Sequence, residues 1–525
     1  MSTFSEVSVS ETKMSRFPVQ AISEWAEKTP TKLALLATER SLTYTDLDVR
    51  TDAIANGLAA AGIGAGAVVA YLGKNSIEFY EAWFGANKVG AALSPLNFRS
   101  AVPELAEFLA DSRPRLVVAA EEYRALVERA GTDARVEFQL LTFAPGNTDS
   151  EWERWIASSP SGPIERTISD DEISLLSYTS GTTGVPKGVR WTQAAFENAL
   201  QWTTAEPSMR WAATDVALMV MPNFHLAGSW VSLPALSYGA TIAILPALDP
   251  IAVLKAILEW DVTAVCLVPT AITMLLNDPR TANADFGALR TIYYAGSPIP
   301  TETIERARAV FGCNLVQFYG TSETYMISIL RPEQHDSSLG RITTSAGAAL
   351  PDVDVRAVAP DGTPLNVEQV GELQVRSTVM FAGYLNKDDL TAIAMDGQWY
   401  RTGDLGFLDE EGNVYVIDRV KDMIVSGGEN VYSVEVERAL SSHPAVAAAA
   451  VIGAPDEKWG ERVEAYVTLK PGEVVTEEQL RAHCRTRIAG YKVPKAVHIE
   501  SSLPMTASGK IQKVELREAA RRSAS

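Results

Sequence analysis

The chain has 525 residues, 46% of them apolar and 21% charged, which is longer than one hydrophobic core usually organises and ordinary in composition for a globular protein. Its formal charge of −19 excludes a nucleic-acid surface, which needs clustered Lys and Arg, and means that any anionic ligand must be met by positive groups gathered locally. Three cysteines, at 266, 313 and 484, show neither a disulfide framework nor metal-ligand spacing, and no signal segment opens the chain, so a reducing, cytoplasmic setting is expected.

Up to about residue 350, strand-like apolar runs alternate with amphipathic stretches, which implies βαβ units and sheets covered on both faces. Gly62 to Gly66 (GIGAG) evokes a dinucleotide fingerprint but follows a helix and lacks its spacing, so it reads as a turn. Val68–Tyr71 reads as a strand ahead of a helix over Ser76–Val89, and further strands fall at Leu116–Ala119, Ile173–Ser177, Ala217–Met221, Thr241–Leu245, Ala264–Val268 and Thr291–Tyr294. Cys266, inside the apolar run Val262–Val268, reads as a small buried hydrophobe. The uncharged stretch Ala217–Leu248 is long enough to tempt a membrane-span reading, but Pro222, Pro234, Pro246, Gly228 and Gly239 punctuate it. A buried strand–helix–strand unit is expected there, with no span; peripheral membrane contact stays open. Asp354–Val358, Gly371–Arg376, Gly406–Leu408 and Val414–Ile417, split by Asp-Gly and Glu-Gly turns, read as a small antiparallel barrel. After Asp418 comes a compact α+β tail: a helix from Ser433, strands Ala447–Ile452 and Val463–Leu469, a helix from Thr476 and a strand Ala496–Ile499.

Tyr178 to Val189 (YTSGTTGVPKGV) carries the strongest chemical signal. Gly181, Gly184 and Gly188 with Pro186 forbid a regular helix or strand. Thr179, Ser180, Thr182 and Thr183 crowd hydroxyls around successive backbone N–H groups, and Lys187 follows. Such a segment leaving a strand end can cradle a polyphosphate. It is not a Walker A loop, because no glycine precedes Lys and then Ser or Thr.

This loop resembles, nearly letter for letter, the phosphate loop of the adenylate-forming superfamily, the acyl-CoA synthetases, aryl-CoA ligases, luciferases and peptide-synthetase adenylation domains. Gln317 to Thr324 (QFYGTSET) resembles the family's Y-G-x-T-E element. By that resemblance Gln317, Tyr319, Gly320 and Thr321 border the nucleotide, with Tyr319 stacking on adenine. Ser322 meets the α-phosphate, and Glu323 with the loop hydroxyl of Thr179 holds Mg2+, an ion that needs few protein ligands. Gly296, Ser297 and Pro298 resemble the segment along the adenine and acyl pocket. Asp404, in Tyr400 to Asp404 (YRTGD), matches the aspartate that accepts both ribose hydroxyls; alone it would read as a turn or cap residue. Asp418 to Asp422 (DRVKD) matches the family hinge, with Arg419 on the nucleotide and Lys421 as pivot. Gly427, Gly428 and Glu429 stand beside the expected coenzyme A tunnel. Val425 departs from members that carry lysine there, which removes one expected phosphate contact. Leu503 to Lys513 (LPMTASGKIQK) presents Lys510, matching the lysine that reaches between carboxylate and α-phosphate.

The resemblance implies an α/β fold: a large N-terminal AMP-binding domain of βαβ layered sheets plus a small antiparallel barrel over residues 1–418, a hinge at 419–422, and a small mobile α+β lid over 423–525. It implies a ligase that uses ATP and coenzyme A, with Lys510, Glu323, Lys187 and His225 as its catalytic set. His225, in Met221 to Gly228 (MPNFHLAG), resembles an element at the mouth of the acyl pocket, where it gates or positions the carboxylate. The other histidines, 335, 443, 483 and 498, read as surface residues. Leu226, Trp230, Ala271, Tyr325, Met326 and Ile327, with His225 and Gly296, are expected to line the acyl pocket. The substrate is then a medium-chain fatty or aryl monocarboxylic acid. A stand-alone enzyme charging a carrier protein and a non-catalytic nucleotide sensor remain alternatives, although no carrier domain is expected after residue 525 and both Lys510 and Glu323 are present. The oligomeric state stays open, a homodimer among the options.

Overall fold

The computed structural model describes residues 18–179, 186–297, 299–426, 429–456, 459–505 and 511–524. The strands, in chain order, begin with β1 (Leu33–Leu36), β2 (Ser41–Thr43), β3 (Val68–Leu72), β4 (Ala92–Pro95), β5 (Leu116–Ala120), β6 (Gln139–Phe143), β7 (Ile173–Thr179) and β8 (Lys187–Thr192). They continue with β9 (Val216–Met219), β10 (Thr241–Ile244), β11 (Ala264–Leu267), β12 (Thr291–Ala295), β13 (Asn314–Tyr319), β14 (Ser328–Leu330) and β15 (Ala348–Ala349). These fifteen form two sheets, ordered β6-β5-β3-β4-β7-β8 and β15-β14-β13-β12-β11-β9-β10-β1-β2.

Most neighbours in both sheets run parallel, and the strands buried on both faces are continuous apolar runs, as in LVVAA of β5 and AVCL of β11. The helix Ile77–Lys88 is buried along nearly its whole length, and its Trp83 Nε1 donates to Ser174 Oγ on β7 at 3.2 Å. The uncharged stretch around Pro234 is the expected strand–helix–strand unit, β9, the helix Ser229–Ser237 and β10. No helix among the described residues is long and apolar enough to cross a membrane. Gly62 and Gly66 take positive φ in the turn after the helix Tyr44–Ala60, as read from the sequence. Cys266 is buried, and burial pushes its thiol up to about 12, as expected of a packing residue.

Two asparagines tie the carboxyl ends of the sheets together. Asn75 Nδ2 donates to the carbonyls of Met221 and Leu245 at 3.0 and 3.1 Å, while Asn223 donates to the carbonyls of Gly73 and Lys74. The segment that carries His225 is thereby fixed from both sheets.

The chain divides into two compact units, one containing residues up to Asp354 with Arg376–Gln398, the other containing Val355–Val375 with everything from Trp399 onward. After β16 (Val353–Val358), β17 (Gly371–Ser377) and the two-residue β18 (Met395–Asp396) come β19 (Trp399–Leu408) and β20 (Val414–Arg419). In the second unit β17, β19 and β20 are antiparallel neighbours. Its last part contains β21 (Ile424–Ser426), β22 (Glu429–Val431), β23 (Val446–Asp456), β24 (Gly460–Leu469) and β25 (Ala496–Ile499), with the helices Ser433–Ser441 and Glu477–Arg485. These strands form one sheet ordered β22-β21-β24-β23, with β25 beside β24, over a core that includes Val436, Val451, Val467 and Leu480. The architecture is α/β, a large sheet-bearing N-terminal part followed by a C-terminal part of small antiparallel sheets.

Candidate active site

In the first unit β7 and β8 pair antiparallel, with Thr179 opposite Lys187 and Tyr178 opposite Gly188. The expected loop residues Ser180, Gly181, Thr182, Thr183 and Gly184 lie outside the described residues. Tyr178 Oη donates to Asp111 Oδ2 at 2.8 Å, and the same carboxylate pairs with Lys387 Nζ at 2.8 Å. The segment Phe381 to Asn386 lies along β8: Leu385 N donates to Gly188 O, Ala382 N to Arg190 O, and Arg190 N to Gly383 O, at 2.8, 2.8 and 3.1 Å. Gly383 holds φ at +94°, a conformation open to glycine, where a side chain would also press on Arg190.

The turn after β13 is equally constrained. A Cβ on Gly320 would stand 1.9 Å from the carbonyl oxygen of Tyr325, so only glycine allows the two backbones to approach. Ile327 N closes the turn onto Tyr319 O at 2.7 Å, and Thr321 Oγ1 accepts from Glu323 N at 3.2 Å. Trp191 Nε1 reaches across from β8 to donate to Ser322 O at 3.1 Å. Glu323 is thus delivered from a fixed backbone and is only 8% exposed. Its Oε1 accepts from Tyr384 Oη at 2.8 Å, while Lys187 Nζ stands 5.0 Å above the Tyr384 ring. The structure therefore brings Lys187, Glu323 and, on the adjoining strand ends, Thr179 and Ser322 into one framework. Carboxylate and hydroxyl oxygens are the hard donors that suit Mg2+, so the residues present fit that ion.

Tyr325 follows at φ +59° and is fully buried, its ring 5.6 to 6.5 Å from those of Trp191, Phe196, Trp202 and Trp230. Met326 and Ile327 are buried beside it, Leu226 is buried, and His225 packs on Phe224 with ring centres 4.5 Å apart. Ala271 is placed differently: it belongs to the apolar core around Val265, Ile272, Leu275 and Ile292. Gly296 (φ +94°) and Ser297 follow the end of β12 and are exposed; Pro298 lies outside the described residues.

In the second unit Asp404 faces Arg419 across β19 and β20, their side chains joined at 2.6 Å. Asp418 Oδ2 accepts from Ser433 N at 2.5 Å and from Ser433 Oγ at 2.8 Å, at the start of the helix Ser433–Ser441. Lys421 sits in a short helical turn, Val420–Asp422. Burial lowers its ammonium below the ordinary lysine value, helped by Arg419, Arg517 and Lys513 and opposed by Asp422. Glu429 and Val425 are exposed, whereas Gly427, Gly428 and Lys510 lie outside the described residues.

The AMP-binding enzyme family profile matches residues 22–385, and that of the AMP-binding enzyme C-terminal domain matches residues 435–510. The chain belongs to the AMP-binding enzyme family, in the adenylate-forming superfamily. Among its relatives are a fatty acid–[acyl-carrier-protein] ligase, ScoC, of Streptomyces coeruleorubidus, 34% identical over 95% of this chain and 96% of that one. A feruloyl-CoA synthase of an Amycolatopsis species is 36% identical over 95% of this chain and 99% of its own. The crystal structure of ATP-bound MatB from Rhodopseudomonas palustris superposes with a TM-score of 0.87 at 28% identity, covering 97% of this chain and all of that one.

Besides Ala271, two further placements differ from the sequence reading or escaped it. His335 is buried, not on the surface: Nδ1 lies 2.8 Å from Arg331 O and Nε2 lies 2.9 Å from Tyr294 Oη. Burial lowers its imidazole to about 4, so the ring is neutral and Nδ1, facing a carbonyl, carries the proton. Nε2 then accepts from Tyr294, whose oxygen lies 3.0 Å from the side-chain amide of Gln317. In the structure the side-chain oxygen of Gln317, Oε1, is the atom that faces the Tyr294 hydroxyl. Tyr384 is the residue that sequence reading missed. It sits between Gly383 and Asn386, both at positive φ, but nothing in the local sequence points to its partners Glu323 and Lys187. A cavity of about 210 Å3, lined by Arg40, Asn75, Glu78, Phe143 and Pro246 among others, lies elsewhere and is bordered by none of the expected site residues.

Proposed function

We propose that the chain is an ATP-dependent, AMP-forming carboxylate–CoA ligase, acting in two half-reactions. In the first a carboxylate attacks the α-phosphorus of ATP, and the new acyl–phosphate bond forms as the bond to pyrophosphate breaks. In the second a thiol attacks the acyl carbonyl, a thioester forms and AMP leaves. Each half is chiefly a matter of positioning and charge neutralisation. The observation that carries this reading is Glu323, buried on a glycine-locked turn and held by a neutral phenol beside Lys187 at the end of the β7–β8 hairpin.

In this reading Lys187 and the loop after Thr179 take the phosphates, Ser322 the α-phosphate, Tyr319 and Gln317 the base, and Asp404 and Arg419 the rest of the nucleoside. Thr179 and Glu323 would hold Mg2+, which when bound offsets charge on the phosphate oxygens. Lys510 neutralises the two anions that must meet at phosphorus. The lid beyond Lys421 then turns, withdrawing Lys510 and presenting Gly427, Gly428 and Glu429 to coenzyme A.

The acid is a medium-chain fatty or aryl monocarboxylate. The aromatic rings that enclose Tyr325 and the half-buried His225 support a compact apolar pocket, and the feruloyl-CoA synthase relative accords with an aryl acid. The ScoC relative favours a second reading, in which the thiol belongs to a carrier protein rather than to coenzyme A. Both readings share the first half-reaction. Mixing the enzyme with ATP and a panel of fatty and aryl acids should release pyrophosphate, and adding either coenzyme A or a holo-carrier protein should release AMP. No pyrophosphate with any acid would leave only a nucleotide sensor, and preference for acids of sixteen carbons or more would refute the compact pocket.

A further inference from the structure

Tyr384 stands between the two opposite charges of the proposed site and touches both. Its hydroxyl donates to Glu323 at 2.8 Å, and its ring carries Lys187 Nζ at 5.0 Å. The side chain is 2% exposed and packs edge-on against Phe381 with ring centres 5.0 Å apart. Its backbone is strapped to both partners' elements. Phe381 N donates to Glu323 O at 2.9 Å on one side, and Leu385 N donates to Gly188 O at 2.8 Å on the other. Arg190 Nη2 adds a bond to Ala382 O at 2.5 Å.

What matters is the kind of contact. A neutral phenol occupies one oxygen of Glu323 without offsetting its charge, unlike an arginine or lysine partner. A π face likewise holds the Lys187 ammonium and leaves its N–H donors free. Among the described residues no ion pair joins Lys187 to Glu323. Without a spacer, an acid and a lysine this close to one ring would satisfy each other, and the site would be closed to ligands of either sign.

We infer that Tyr384 is a positioning residue that keeps Glu323 and Lys187 as separate, unspent charges, the first for a divalent cation and the second for phosphate. The inference rests on the nucleotide reading above and deepens it. Partners that orient a metal-binding side chain contribute about 10- to 100-fold to metal affinity.

Two variants separate the roles of hydroxyl and ring, read by ATP binding with the lid intact and no acid present. Tyr384→Phe keeps the ring, and therefore the packing and the seat of Lys187. It should weaken ATP binding about tenfold in Mg2+ and leave binding in EDTA within about twofold of wild type. Tyr384→Leu removes both contacts and should weaken binding in both buffers. Tyr384→Phe equal to wild type in both buffers, or weakened equally in both, would overturn the inference, the second result marking a merely structural role. Wild-type protein that binds no ATP would sink the nucleotide reading itself, an outcome distinct from any behaviour of the variants. Thermal unfolding of Tyr384→Phe close to wild type confirms that the comparison is between folded proteins.

Discussion

Glu323 and Asp404 are both buried carboxylates of the proposed nucleotide set, 8% and 2% exposed, yet they are held by opposite means. Glu323 accepts from a neutral phenol; Asp404 is paired with the Arg419 guanidinium, itself about half exposed. The difference follows the ligand each would meet. A metal ion is attracted by charge, so Glu323 must keep its charge intact. Ribose hydroxyls need only acceptors, so Asp404 loses little by sharing one oxygen with a cation. The contrast extends around both residues. Around Glu323 a neutral bond and a glycine-locked turn fix the group, whereas Asp404, Asp418 and Asp422 in the second unit hold on through ion pairs and a helix start.

The sharpest way to break that contrast is to separate the half-reactions. Lys510→Ala should abolish acyl-AMP formation while supplied acyl-AMP is still converted to thioester, and Lys421→Pro should show the reverse defect. Quenched-flow assays of each half decide it. Equal loss of both halves in both variants would refute a turning lid and leave the second unit as static as the first. Glu323→Gln tests the other side. It keeps an acceptor for Tyr384 and removes the charge, so adenylation should fall about 10²- to 10³-fold with no loss of thermal stability. A matching fall in stability would make Glu323 a core residue rather than a charge held in reserve.

Much of the fold was legible because its strands are apolar runs whose ends turn chemistry marks. β12 and β25 fall within one residue of their expected bounds, and Pro234 and Gly239 distinguished a strand–helix–strand unit from a membrane span. Site residues were legible where a rare local conformation forces a residue type, as at Gly320, whose neighbour's carbonyl leaves no room for Cβ. Tyr384 was not. Its role depends on partners 61 and 197 positions away, Glu323 by hydrogen bond and Lys187 by ring contact, and no local pattern encodes such distant contacts. His335 failed for the same reason. Polar neighbours in sequence (PEQHD) suggested solvent, while Tyr294 and the carbonyl of Arg331 enclose it in space.

His335 also offers a test of how fixed the first unit is. Burial lowers its pKa from 6.5 to about 4, with Arg308 lowering it further and Glu333 opposing. The unfolded chain therefore binds the proton first as pH falls. The stabilisation is complete above about 6.5 and is lost as pH drops toward 4, about 2 kcal/mol of it by pH 5. Urea unfolding of wild type and His335→Gln at pH 7.5 and pH 5 should show that much less acid sensitivity in the variant. Equal acid sensitivity would mean that the pocket around Tyr294 and Gln317 opens readily, contrary to a preset first unit.

Asp404→Asn carries the smallest expected effect and returns to the opening contrast. If Asp404 accepts from ribose, the variant should raise the KM for ATP about tenfold, since Asn still offers a carbonyl acceptor and only the extra strength of a hydrogen bond to a charged group, about 1–1.5 kcal/mol, is lost. The same substitution should change the KM for 2′-deoxy-ATP less, because one of the two hydroxyls that Asp404 would serve is already missing. Equal shifts for the two nucleotides would leave Asp404 as a counter-charge for Arg419 alone. The acidic group of the second unit would then act by pairing, and only Glu323 would act by being left unpaired.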